Sequence, residues 1–377
     1  MFRKSLGLLA GMLVTVAVYA AGVELRADHP ESYTVRRGDT LWGIAARFLS
    51  KPWLWPEIWQ ANPQVHNPHL IYPGDVLRLS LASDGAPSVK LVPQVRREDA
   101  PVPAIPLAEL RMFLEDLRVE NEQTVRDAPY VVGFEEARLR GTVGQNVYVR
   151  KLAAQPGQRW AIVRPTHAFR GFGGDGAGQG ESIVGHRLDS DVSMVRTPWA
   201  EDARNDGHYG RGREIGIEVS VIGSAEVLRG GDPSTLLLLG STEEIRKGDR
   251  LLPLDDKPYD ASYFPHAPKA VPAGARVIAF SENVLDATGR SQVVALSVGA
   301  RDGVENGQTY AIWQPGETIA DDVASNSWDR GTGQSVTLPD EFVGHVMVFR
   351  TFDRVSYGLI MDGLKPVHVG GRLTLPD

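Results

Sequence analysis

No cysteine occurs among the 377 residues. The chain therefore has no disulfide framework, no thiolate nucleophile and no cysteine-based zinc site. Charge of one sign is lacking too: 40 basic residues stand against 47 acidic ones, a formal net charge of -7, with no polybasic tract. That balance sets nucleic acid aside as a partner. The patterns His-x-His, His-Glu-x-x-His and Gly-x-Ser-x-Gly are missing, and the nine histidines are scattered, which removes the usual zinc-peptidase and serine-hydrolase arrangements. His186 and His345 share a Val-Gly-His context and read as repeat positions. Asp321, Asp322 and Asp329 do not have calcium-loop spacing and read as a solvated loop. The glycine-dense run Gly171 to Gly180 leads into neither Lys-Ser nor Lys-Thr, so it is no phosphate loop. The sequence calls for no metal and no cofactor.

Long apolar runs are scarce as well. The one at the start follows Met1, Phe2, Arg3 and Lys4, extends from Leu6 to Ala21, and contains a small-x-small site at Val18, Tyr19 and Ala20. It reads as a cleavable signal peptide over residues 1–20. A membrane anchor is the alternative, but the run falls short of the ~20 strongly apolar residues of a spanning helix. Without a cysteine for lipid attachment, export leads to the periplasm.

What is present reads as an α+β multidomain chain. Residues 31–80 form a compact segment. Residues 81–106 carry Pro87, Pro93, Pro101, Pro103 and Pro106 and read as a semi-rigid linker that could extend about 75 Å if polyproline-like. Residues 107–254 form a first β-rich module. It opens with an amphipathic helix (Leu107, Leu110, Met112, Phe113, Leu117) and carries an insertion at Gly171 to Gly180 and Asp202 to Gly212. Residues 271–377 form a second. An internal repeat runs through both: an apolar run, then apolar-x-x-Gly-polar-x-apolar, then another apolar run. It spans Leu236 to Leu254 (Ile245, Gly248), Val293 to Trp313 (Val304, Gly307) and Gly358 to Leu375 (Val367, Gly370), with a looser copy from Val147 to Val163 around Gly157. Two runs joined by a glycine-centred turn imply hairpins or tight barrel corners, because glycine accepts positive φ without strain. Mostly antiparallel small barrels or sandwiches are expected, with exposed strand edges able to pair with a partner strand.

The most informative stretch is Tyr33-Thr34-Val35-Arg36-Arg37-Gly38-Asp39-Thr40-Leu41-Trp42-Gly43-Ile44-Ala45, followed by Asn62-Pro63 and Asn67-Pro68-His69-Leu70-Ile71-Tyr72-Pro73-Gly74-Asp75-Val76-Leu77. Tyr33 to Val35 reads as a strand, Asp39 or Thr40 as the N-cap of a helix buried through Leu41, Ile44, Ala45 and Phe48, and Pro56 as the first turn of a second helix. Val76 to Leu79 closes as a strand. Trp42 and Trp59 share the periodicity of the buried faces. Trp53 and Trp55 lie in an extra segment and either pack locally or face a partner.

This βααβ order and these residues resemble the LysM family. The resemblance implies binding of N-acetylglucosamine-containing glycan, hence peptidoglycan, in a shallow groove. Gly38, Asp39, Thr40 and Leu41 would form one wall and Asn67, Pro68, His69, Leu70 and Ile71 the other. Wall hydrolases also carry LysM modules, but the missing thiol and zinc patterns argue for a non-enzyme.

Further residues are Ile105-Pro106, Asp127-Ala128-Pro129-Tyr130-Val131-Val132, Asn146-Val147-Tyr148-Val149-Arg150, Gly231-Asp232-Pro233-Ser234-Thr235 and Ile245-Arg246-Lys247-Gly248-Asp249-Arg250-Leu251-Leu252-Pro253. With the first module they resemble the LysM-bearing type IV pilus secretin-associated proteins, whose C-terminal region is similar to that of the flagellar accessory protein FlgT. That resemblance implies a periplasmic protein tying the outer-membrane secretin to the wall in support of twitching motility, with copies arrayed around the secretin ring. A generic wall scaffold and a flagellar-ring accessory protein are the competing readings.

Overall fold

The computed structural model describes residues 24–56, 71–81, 87–92, 105, 110–137, 139–170, 214–255, 263–280, 292–321, 335–363 and 365–376. The signal-peptide stretch, Trp59 and the insertion at Gly171 to Gly180 and Asp202 to Gly212 lie outside them, as does His186.

One turn recurs through the chain. In the pattern x-x-Gly-Asp/Gln, preceded by an apolar residue at every site but Gly144, the glycine takes φ between 84° and 95° at Gly38, Gly74, Gly144, Gly157 and Gly248. The residue after it then bonds back to the residue three earlier. Its N–H donates to that residue's carbonyl while its side-chain oxygen accepts that residue's N–H, in the pairs Arg36/Asp39, Tyr72/Asp75, Thr142/Gln145, Gln155/Gln158 and Arg246/Asp249. Gly307 and Gly370 make the same backbone turn, each with φ 95°. Only glycine enters this left-handed region without cost, and Asp and Gln have the side-chain carbonyl oxygen the closure needs. The turn glycine's own N–H reaches sideways to a neighbouring chain segment, as from Gly157 to Val227 O and from Gly248 to Val131 O, each at 2.8 Å.

In the N-terminal module, β1 (Ser32–Thr34) pairs antiparallel with β2 (Val76–Leu81), and α1 (Leu41–Phe48) packs Leu41, Ile44, Ala45 and Phe48 inward. A short 3-10 turn, Pro52–Leu54, leads into helical residues Trp55 and Pro56. A third strand, β3 (Pro87–Val92), continues the sheet beyond β2 within the stretch read as linker, where six residues of backbone pair instead of running free. The expected amphipathic helix after it is one π-helical turn, Met112–Asp116. Leu117 belongs to β4 (Leu117–Glu120), where Leu117 and Val119 alternate inward against the sheet; helical and strand spacing coincide over so short a run.

The rest is built from two closed rings. The first comprises β5 (Tyr130–Phe134), β7 (Asn146–Arg150), β8 (Arg159–Arg170), β9 (Glu214–Arg229), β10 (Ser234–Ser241) and β12 (Arg250–Pro253). Their order is β10-β7-β5-β12-β8-β9, and β9 pairs back onto β10, which closes the ring; β4 attaches to the outer edge of β9. Short strands β6 (Arg140–Gly141) and β11 (Ile245–Arg246) pair beside it. α2 (Glu122–Asp127), capped by Asn121, covers the outside through Val125.

The second ring comprises β13 (Val277–Phe280), β14 (Val293–Leu296), β15 (Thr309–Gln314), β18 (Glu341–Thr351), β19 (Ser356–Gly363) and β20 (Arg372–Thr374) in the order β13-β14-β19-β18-β15-β20. An antiparallel bridge between Arg276 and Arg372, with bonds from Val277 N to Gly371 O and from Gly370 N to Val277 O, joins its first strand to its last. A hairpin, β16 (Thr318–Ala320) with β17 (Ser335–Thr337), lies between β15 and β18 in sequence. Numbered one to six along the chain, the strands of both rings stand in the order 1-2-5-4-3-6.

The sequence repeat takes its meaning from this order. Its four copies are β7 to β8, β10 to β12, β14 to β15 and β19 to β20. Each joins strands three places apart in a ring of six. They are therefore crossings from one side of a barrel to the other, not hairpins, and the glycine turn drops the chain into its new place. The repeat's strands also have both edges paired, so the expected free edges for strand addition are absent from the described rings.

Strands of the second ring are buried on both faces. Val294, Leu296, Val346, Val348 and Ile360 fill its interior, while Val293, Ala295, Met347, Phe349 and Leu359 point outward into a further apolar cluster. That cluster also holds Ile44, Phe48 and Trp55 of the N-terminal module, Ile105, Leu110, Phe113 and Leu114, and Phe169 of the first ring. Against Tyr357 of that cluster, Glu218 of β9, fully buried, accepts from Thr166 Oγ1 at 2.7 Å and from Tyr357 Oη of β19 at 2.5 Å. Burial, and then the neighbouring Glu218, hold the Tyr357 phenol well above its usual value. Arg350 donates to the carbonyls of Phe113 and Leu114, tying the π-turn to β18.

The turn glycines give a graded test. A Cβ on Gly248 would meet nothing within 4 Å, whereas one on Gly307 would lie 2.3 Å from Phe264 O. Gly248→Ala is expected to cost about 1–2 kcal/mol for the left-handed backbone. Gly307→Ala should cost about 1–3 kcal/mol more from overpacking. Denaturant midpoints of the two variants check the order.

Candidate functional site

The strand-to-helix junction of the N-terminal module is built around one carboxylate. Asp39 Oδ2 accepts the N–H of Arg36 at 2.7 Å and the hydroxyl of Tyr33 at 2.9 Å. Burial, and then Asp39, raise the Tyr33 phenol above its ordinary value, and the Arg47 guanidinium lies 4.6 Å from the centre of the same ring. Gly38 supplies the positive φ that brings Asp39 back over the turn. Thr40, not Asp39, caps α1, its Oγ1 accepting Gly43 N at 3.1 Å.

A second turn of the same kind abuts the first. Tyr72-Pro73-Gly74-Asp75 closes through Asp75, which is buried, and the two turns are laced by Val35 N to Asp75 O and Gly74 N to Val35 O, both 2.8 Å. The start of α1 and the segment entering β2 are thus held side by side. Leu41 and Ile71, one from each, are fully buried. Gly38 is exposed, with Asp39 and Thr40 half-buried at the rim. Asn67, Pro68, His69 and Leu70 lie outside the described residues.

Residues 33–80 match the LysM domain family. The module is therefore a glycan-binding one of the kind that holds peptidoglycan, and it makes this a cell-wall-associated, extracytoplasmic chain. It is also similar to YqbP, an uncharacterised protein of Bacillus subtilis, at 35% identity over 60 residues, 13% of this chain. The chain spans only about a quarter of that relative's length, 27%. No described helix is long and apolar enough to cross a membrane.

Sequence reasoning left the destination of the extra tryptophans open, and the structure places both inside the protein. Trp53 is 4% exposed and Trp55 fully buried. Trp53 lies 6.4 Å from Trp42 of α1 and 4.5 Å from the imidazole of His345 on the second ring, centroid to centroid. Trp55 stacks on Phe264 at 6.3 Å. Trp42 is a local neighbour, but no feature of residues 50–56 themselves could have named His345 or Phe264, which are hundreds of residues away in the chain.

The cap gives a local test of the LysM fold. Thr40→Ala should lower the module's stability by about 1 kcal/mol, while Thr40→Ser, which keeps the oxygen, should leave it nearly unchanged. Chemical unfolding followed by tryptophan fluorescence compares the two.

Proposed function

We propose that this is a non-enzymatic, periplasmic anchor that holds the outer-membrane type IV pilus secretin to peptidoglycan. A signal peptide over residues 1–20 would export it. The observation that carries the reading is the joining of a LysM module to a pair of barrels that hold no recognised catalytic pattern. The specific machine is drawn from the residues before and within the first ring that resemble the secretin-associated proteins. In this reading, glycan is bound along the rim formed by Gly38, Asp39, Thr40 and Leu41 on one side and Asn67, Pro68, His69, Leu70 and Ile71 on the other. Backbone amides would meet the N-acetyl group. Because Leu41 and Ile71 are fully buried, their part is to support the groove's floor, and the contacts fall to the rim.

The barrels would hold the secretin through side-chain surfaces. A secretin is a closed cyclic oligomer, so a protein that recognises one subunit is presented with the same face many times and is arrayed around the ring.

Two measurements test this. The full chain should sediment with purified sacculi without releasing soluble muropeptides. Asn67→Ala with His69→Ala should reduce that sedimentation while circular dichroism stays as in the parent. Muropeptide release would instead establish a hydrolase, and unchanged sedimentation of the folded variant would put the groove elsewhere. In cells, the tagged full chain should copurify with the pilus secretin, and the groove variant should keep the secretin yet lose the complex from sacculi, with impaired twitching. Recovery of flagellar ring proteins in place of the secretin would transfer the anchor to that machine.

A further inference from the structure

Because the two rings share one strand order, positions can be matched between them. Aligning the turn glycines Gly157 and Gly307 pairs β8 with β15. Ala161 of β8 then faces Ser224 of β9, and Ala311 of β15 faces His345 of β18. One strand further, Ser224 faces Gly240 and His345 faces Asp362. The preceding glycines confirm the match: a Cβ on Gly223 would lie 2.7 Å from Gly240 O, and one on Gly344 would lie 2.0 Å from Asp362 O.

At this matched place the first ring has a hydroxyl and a hydrogen, and the second an imidazole and a carboxylate. The first ring closes without the pair, so ring closure does not require it. What differs is the load above. Asp362 Oδ1 accepts His345 N at 2.7 Å and lies 2.9 Å from His345 Nδ1, which fixes the plane of the imidazole. Trp53 of the LysM module lies on that imidazole. Beside it, Trp55 stacks on Phe264, whose carbonyl crowds the glycine turn entering β15.

We infer that the His345–Asp362 pair is a docking seat that clamps the LysM module to the second barrel, so that module and barrel move as one body. The glycan-binding face then points in one fixed direction, and residues 81–106 do not act as a free tether. Release of the module would uncover its own Phe48 and Trp55, which belong to the same apolar cluster as Met347, Phe349 and Leu359 on the ring's outer face. Apolar surface on that scale favours the closed arrangement in water. The inference holds whatever the module binds.

The absence of cysteine allows clean spin labelling of the full chain. Arg37→Cys on the LysM module and Glu305→Cys on the second barrel, both exposed, carry the labels, and pulsed electron–electron double resonance reads their distance distribution. One narrow distance is expected in the parent, broadening severalfold when His345→Ala and Phe264→Ala are added together. A broad distribution in the parent overturns the clamp, and so does a distribution that stays narrow in the double variant. Should the double variant not fold, the parent's distribution alone decides.

Discussion

A left-handed glycine turn, closed in the LysM module and the first ring by the side chain that follows the glycine, is the constraint on which this architecture rests. The turn satisfies its own backbone groups and presents a free glycine N–H to a neighbouring chain segment. That second bond matters for the barrels, because each crossing must land the chain three strands away without leaving buried amides unpaired. The same device serves two settings. Before β7, β8 and β12 it launches a strand, while after Val35 it launches a helix, with Asp39 closing the turn and Thr40 capping. The residues proposed for one wall of the glycan groove therefore sit on a structural motif that recurs at the barrel crossings.

The second constraint is burial on two faces. A ring whose strands carry Val-Val-Ala-Leu or Val-Met-Val-Phe needs cover inside and out. The inside is filled by its own side chains. Outside, the cover comes from three sources: the LysM helix, the π-turn held by Arg350, and the first ring around Glu218 and Tyr357. A buried carboxylate is tolerable there because two hydroxyls donate to it. In the wall anchor proposed above, this arrangement would carry load through packed side chains from glycan to barrels.

Much of this was legible in the residues. The apolar-x-x-Gly-polar-x-apolar repeat marked every barrel crossing, its looser copy around Gly157 included, and the LysM signature placed β1, α1 and β2. Ile71-Tyr72-Pro73-Gly74-Asp75-Val76-Leu77 carries the repeat as well. Strand order was not legible, since local pattern says where a strand starts but not which of five others it meets. The same holds for Trp53 and Trp55, whose environment is set by residues such as His345 and Phe264. Leu110, Phe113 and Leu117 suited a helix and a turn-plus-strand equally, and pairing of β4 with β9 decided between them. The far wall of the groove, Asn67 to Leu70, rests on resemblance alone.

Both rings depart from minimal length at the same joint, between the third and fourth strands. In the first ring, Arg170 and Glu214 are register partners, as are Gln314 and Glu341 in the second. The two ends of each excursion are therefore already adjacent, and the entropy of closing a loop between them grows only slowly with its length. Evolution could lengthen the chain here without disturbing barrel closure, and a reporter domain spliced in at this joint would inherit the same tolerance.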